Sequence, residues 1–294
     1  MTPQEMVGLA LKVSILLTVF GFGLQATRDD LLYVLRRPGL MARSLVAMFV
    51  IMPLVAIALT SVFHFQLPVM IALIALSISP VPPLLPRKIG KAGGVAPYGL
   101  GLMVTAATLS ILYIPLAVRL IGNYFHESFA MGPMAVAKLI LMSVLLPIAA
   151  GILFQRLLPA LAERIAKPVG LFAKIMLMAG LLVTLVFALP KSLALIGNGT
   201  IVALIAFIIV GLLVGHLLGG PGPEEQITLS LSTACRHPAL AIALAAANIP
   251  NEHNVFSAIL LYLVLNAVIT AAYMFWRRRK IKESAEHASK QVTA

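Results

Sequence analysis

Apolar residues gather into runs of roughly 20 along the chain, separated by short polar stretches, and a helix of that length spans the hydrocarbon core of a bilayer. Nine such segments follow in order: about 6–26, 44–63, one from Pro68 to the basic residues Arg87, Lys88 and Lys91, one closing near Val118, then 134–154, 169–189, 200–218, 227–248 and one ending at Trp276. The pattern predicts an all-α integral membrane protein of nine transmembrane helices. Residues 1–276 form one transmembrane unit, and 277–294 form a basic tail expected to fray.

Two of the nine are interrupted at mid-depth. The third meets Ser79-Pro80-Val81-Pro82-Pro83, and the eighth meets Arg236-His237-Pro238. Proline removes a backbone donor and disfavours helix in the residue before it, so both helices break there. The flanking texts are loosely alike, Leu-Ser-Ile-Ser-Pro from Leu76 and Leu-Ser-Leu-Ser-Thr from Leu229. Paired broken segments, one in each half, point to a transporter built from inverted repeats; the plainer alternative is two kinked helices.

With 61% hydrophobic residues, 11% charged and a mean hydropathy of +1.02, the chain has far more apolar surface than a soluble domain can bury. The net charge of +12 lies in short loops rather than in a patch for nucleic acid. One side collects Arg28, Arg36, Arg37, Arg43, Arg87, Lys88, Lys91, Arg156, Arg164, Lys167 and the tail, whereas the other holds Arg119 and Lys191. That asymmetry places the amino terminus outside and the carboxyl terminus in the cytoplasm of a cell (inner) membrane. The first apolar stretch reads as a span rather than a cleavable signal. A single cysteine, Cys235, excludes an internal disulfide. No HExxH, GxSxG, paired mid-span aspartates or phosphate-binding glycine loop occurs, so neither an enzyme, a cofactor nor a metal site is expected.

The chemistry concentrates at the second break. Arg236 stands near the bilayer midplane, where a cation needs a partner or a polar cavity. All ten acidic residues lie in loops, tails or span ends, and the nearest in sequence, Glu225, is roughly 16 Å away along a helix. Two roles remain open for Arg236. It can hydrogen-bond carbonyls freed by the break, or it can meet an anionic substrate bidentately, helped by the positive amino ends of the half-helices restarting at Pro82 and Pro238. His237 is either a proton carrier or a neutral helix cap. Ser79, Ser232 and Thr233 either line the crossing, with Ser77 and Ser230, or bond their own backbone. Asn266 at mid-span needs a partner. Lys12, Lys138 and Lys174 lie near span ends and can snorkel; Arg87, Lys88 and Lys91 read as topological; Cys235 reads as a small buried residue.

Several stretches together resemble the bile acid:sodium symporter family: Phe20-Gly21-Phe22-Gly23-Leu24, Arg36-Arg37-Pro38 with Ile51-Met52-Pro53-Leu54, Val144-Leu145-Leu146-Pro147-Ile148 with Gly151, the stretch from Thr228 through Ala239-Leu240-Ala241 to Asn248, and Asn266. The resemblance implies a panel domain (about 6–26, 134–154 and 169–189) and a core domain (about 44–118 and 200–276), with the broken helices crossing inside the core. It also implies transport of small organic anions by alternating access. The departures fall on the residues that hold sodium in coupled members. The Pro-Gly-Gly break reads Pro80-Val81-Pro82 here, followed by Leu85-Pro86 in place of a Ser-Asn pair. Gly99 and Met103 replace hydroxyls, Met48 a glutamine, Ser232 a glutamate, and Arg236-His237 a Gln-Asn pair. Sodium is a hard cation needing several oxygen ligands, so the family's sodium sites are expected to be absent. A sodium-independent carrier of organic anions follows. A sodium- or proton-coupled symporter using other ligands, or a membrane receptor or scaffold that kept the fold, stands as the alternative. Oligomeric state is not legible.

Overall fold

The computed structural model describes residues 3–125, 132–249 and 254–292. The polar loop through Glu127 and the turn through Glu252 and His253 lie outside the described residues. Twelve helices account for nearly all of the rest, with no strand among them. They are α1 (Pro3–Gly23), α2 (Arg28–Leu32), α3 (Pro38–Val62), α4 (Leu67–Ile78), α5 (Leu85–Ala92), α6 (Ala96–Phe125), α7 (Pro133–Leu157), α8 (Pro159–Leu193), α9 (Thr200–Leu218), α10 (Pro223–Ala234), α11 (Pro238–Asn248) and α12 (Val255–Val292).

Eight segments are long and apolar enough to cross a membrane: α1, α3, α6, α7, α8, α9, the α10–α11 pair taken together, and α12. The remaining predicted segment is split into α4 and α5, each too short to cross alone. Several boundaries differ from the sequence reading, and the segment expected to close near Val118 continues through Asn123 to Phe125. The stretch expected as a loop around Arg164 and Lys167 is helical from Pro159, because proline serves well at a first helical position. Helix α3 begins at Pro38, earlier than expected, for the same reason. The tail expected to fray continues α12 through Val292.

Small residues set how closely the helices approach. Gly211 and Gly215 of α9 and Gly219 just past its end recur every four residues and face the backbone of α10; a Cβ at Gly215 would lie 2.4 Å from Ser230 Cα. Gly23 of α1 and Gly151 of α7 meet the same way, each leaving no room for a Cβ against the other helix. In lipid, where apolar surface gains little from association, such backbone contact supplies the dispersion that holds helices together. Helix α1 packs against α7 and α8, while α4, α9, α10, α11 and α12 pack among themselves around one apolar core. On the face carrying the basic loops, Arg37 pairs with Glu225 at 2.9 Å and Arg277 donates to Pro223 O at 3.2 Å. The starts of α3 and α10 and the polar end of α12 therefore share one face.

Candidate functional site: the joined helix breaks

Both interruptions are real gaps in helical structure. Residues 79–84 separate α4 from α5, and Cys235, Arg236 and His237 separate α10 from α11. The two gaps touch. His237 N donates to Pro80 O at 3.0 Å, and Arg236 Nη1 donates to Ser79 O at 3.0 Å.

Proline explains why there are carbonyls to bond. In a continuous helix, the carbonyls of Phe49, Ser79 and Ala234 would accept from the N–H of residues 53, 83 and 238, all of which are prolines. Each is instead taken by a side chain from another segment. Tyr113 Oη donates to Phe49 O at 2.7 Å. Arg236 takes Ser79 O. Ala234 O accepts from Tyr262 Oη at 2.6 Å and from Asn266 Nδ2 at 2.8 Å. A fourth carbonyl is freed by a π turn at Ala47–Ile51, where Met52 N reaches back to Ala47 O and leaves Met48 O unclaimed. Arg236 Nη2 donates to it at 2.8 Å. Bilayer interiors offer no water to such groups, so each of these bonds replaces an orphaned acceptor worth several kcal/mol.

Arg236 thus lies 1% exposed between α3 and the first break, its two Nη atoms on carbonyl oxygens and its Nε without a hydrogen-bond partner among the described residues. The ion pairs among the described residues are Arg37–Glu225 and Arg36–Asp29, so no carboxylate accompanies the guanidinium. His237 caps α11: its Nδ1 accepts from Leu240 N at 3.3 Å. Pro238 follows at the first position of that helix. Pro80, Pro82 and Pro83 all fall within the first gap.

The hydroxyls do not open toward a shared space. Ser79 bonds Ala75 O, Ser232 bonds Thr228 O, Thr233 bonds Leu229 O and Ser77 bonds Ile74 O, each on its own helix. Asn266, in contrast, sits in the crossing, where Cys235 Sγ donates to its Oδ1 at 3.3 Å.

Three participants escaped the sequence reading: Tyr113, already placed on Phe49 O, Tyr262 and Lys88. Tyr262 is fully buried against the second break. Lys88 extends its ammonium to Thr270 Oγ1 and lies 3.7 Å from Cys235 Sγ, tying α5 to α12 and to the second break. Its neighbours Arg87 and Lys91 point elsewhere, into a cavity of about 430 Å³. The periodicity of α5 carried that distinction, because Leu85, Ile89 and Ala92 are buried while Arg87 and Lys91 share the opposite face. The cavity is walled on one side by α1 and α8, with Thr18, Phe22 and Gly170, and on the other by α5 and α6, with Arg87, Lys91 and Leu100.

Eight segments of membrane-spanning length, with two joined breaks among the described residues, make this a multi-pass membrane protein. The family model described as Sodium Bile acid symporter family matches residues 12–198, more than half of the chain, and the chain belongs to that family. The match includes the first break and ends before α9, so Arg236 lies beyond it. No curated protein matches the chain closely enough to report.

Proposed function

We propose that the protein is a secondary transporter of small organic anions that works by alternating access and has replaced its family's sodium ions with the guanidinium of Arg236. The observation that carries this reading is the pair of bonds from Arg236 to Met48 O and Ser79 O. A bound ion would draw on just such carbonyl oxygens, and a fixed cation already holds them. The filling of the neighbouring positions supports it. Met48, Met103 and Leu85 are buried among apolar groups, and a Cβ at Gly99 would already press on Ile89 at 2.6 Å.

In this reading α4–α5 and α10–α11 are the two broken crossings and bring the spans to nine. Helices α1, α7 and α8 form the panel, and α3–α6 with α9–α12 the core. The basic loops face the cytoplasm, with the amino terminus outside. Partners are an organic anion and membrane lipid. Arg236, Ser79 and Asn266 hold the crossing together, and substrate enters the cavity between the two groups of helices.

Saturable uptake of labelled organic anions into proteoliposomes is expected to proceed at an unchanged rate when choline replaces sodium. Uptake that requires sodium rejects the reading, and an absence of uptake for every anion favours a receptor or scaffold. The proton-coupled variant is disfavoured by the His237 cap, which uses the Nδ1 lone pair. His237→Asn keeps a cap acceptor and carries no titratable group, so it is expected to retain folding and flux. His237→Ala is expected to lose about 1 kcal/mol of stability, read by thermal unfolding in detergent.

A further inference from the structure

The cavity holds two cations that the crossing does not use. Arg87 and Lys91 lie one turn apart on α5 and both face it. Neither has an ion-pair partner among the described residues. The carboxylate that shares the lining, Asp30, accepts from Thr27 N at 2.8 Å and belongs to the cap of α2. Arg87 does have one bond, and it runs across the cavity: Nη1 donates to Gly170 O on α8 at 3.2 Å. The contact is close: a Cβ at Gly170 would stand 2.7 Å from Arg87 Nη2, and the guanidinium, the free end of a flexible side chain, would have to shift.

We propose that Arg87, with Lys91 beside it, is the anion-binding group of the carrier, that it latches α5 to α8 through Gly170 O when the cavity is empty, and that the protein therefore works as an anion exchanger. The proposal rests on the transport reading above. A guanidinium bonds a carboxylate in preference to a neutral carbonyl, since both partners are then charged and the fork can engage two oxygens. An arriving anion takes Arg87 from Gly170 O, and the two walls of the cavity are free to separate. A carrier that has released its anion relatches and stays where it is until another anion binds. Movement is thereby restricted to the loaded form, which is the condition for exchange.

The probe is a para-sulfonated benzoate (benzoate below), a carboxylate with a flat apolar body to lie against Phe22 and Leu100 and a permanently ionised sulfonate that stops it leaking through lipid as the neutral acid. Proteoliposomes loaded with labelled benzoate are diluted into buffer with or without unlabelled benzoate. The wild-type protein is expected to release label roughly tenfold faster into buffer containing benzoate. Gly170→Ala keeps both cations but displaces the guanidinium, so it is expected to release label at the fast rate in both buffers. If that variant is not recovered folded, Arg87→Lys serves in its place: it retains the charge, cannot present a fork, and is expected to relax the exchange requirement in the same direction while raising the half-saturating benzoate concentration. Equal release by the wild-type protein in both buffers overturns the latch but leaves transport standing. Persistence of the exchange requirement in Gly170→Ala, or in Arg87→Lys where that variant stands in, also overturns it. Absence of benzoate flux by the wild-type protein overturns the transport reading for carboxylates and the latch with it.

Discussion

Arg236→Gln is expected to lower the stability of the protein by about 2–4 kcal/mol, because it strands two buried carbonyls and neither can turn to water. Glutamine is shorter and offers a single donor group, so it cannot reach Met48 O and Ser79 O together, which the guanidinium bonds at 2.8 Å and 3.0 Å. Removing a buried charge also relieves a desolvation penalty, and this sets the sign at issue. A guanidinium that was merely tolerated would give a variant as stable as the parent or more so. The joining of two breaks and a π turn through one group argues for loss. The measurement is thermal unfolding in detergent, with sodium added to both proteins. The parent is expected to show no sodium-dependent rise in melting temperature, and such a rise would mean that an ion site survives beside the arginine.

Gly215→Val is expected to be at least as damaging, through overpacking rather than lost bonds. The first new carbon would lie 2.4 Å from Ser230 Cα and 2.5 Å from Ser230 N, and both are backbone atoms that cannot swing aside. The helices would have to part along the whole Gly211–Gly215–Gly219 row, forfeiting the contact that holds them in lipid. A loss of roughly 3 kcal/mol or more is expected, at the upper end for overpacked interiors. It would appear as failure to elute as a monodisperse species. Gly8→Ala is the control, since a Cβ there meets nothing within 4 Å. It should be neutral or slightly stabilising, by up to about 1 kcal/mol for a helical glycine. If Gly215→Val behaves like Gly8→Ala, the close approach of α9 and α10 is wrong.

Much of this architecture can be read from residue order alone. Segment lengths give the spans, and Pro80, Pro82, Pro83 and Pro238 mark the gaps because proline removes a donor wherever it stands. The same logic, carried four residues back from Pro53, Pro83 and Pro238, names the carbonyls left over. The donors are another matter. Tyr113 and Tyr262 reach freed carbonyls from 64 and 28 residues away in sequence, and nothing local distinguishes them from other aromatic residues in apolar runs. The predicted serines and threonine could be read either way, and Ser77, Ser79, Ser232 and Thr233 bond their own backbone. Arg87, Lys88 and Lys91 show the limit most clearly. As loop charges they are topological, but on a short helix the middle one turns into the crossing and the outer two into the cavity. The helical period of α5 puts Arg87 and Lys91 on one face and Lys88 off it, but which face meets the crossing and which the cavity is set by the packing of α5 against distant helices.

The tether of Arg236 to the chain bears on energetics as well as on packing. A dissociable metal ion lets a carrier perform osmotic work by running that ion down its own electrochemical potential. A positive charge that is part of the polypeptide is present in every molecule at every salt concentration and never crosses to the other compartment. With no such ion to run down, uphill movement of an anion through the proposed carrier would draw on the membrane potential or on the downhill movement of another anion.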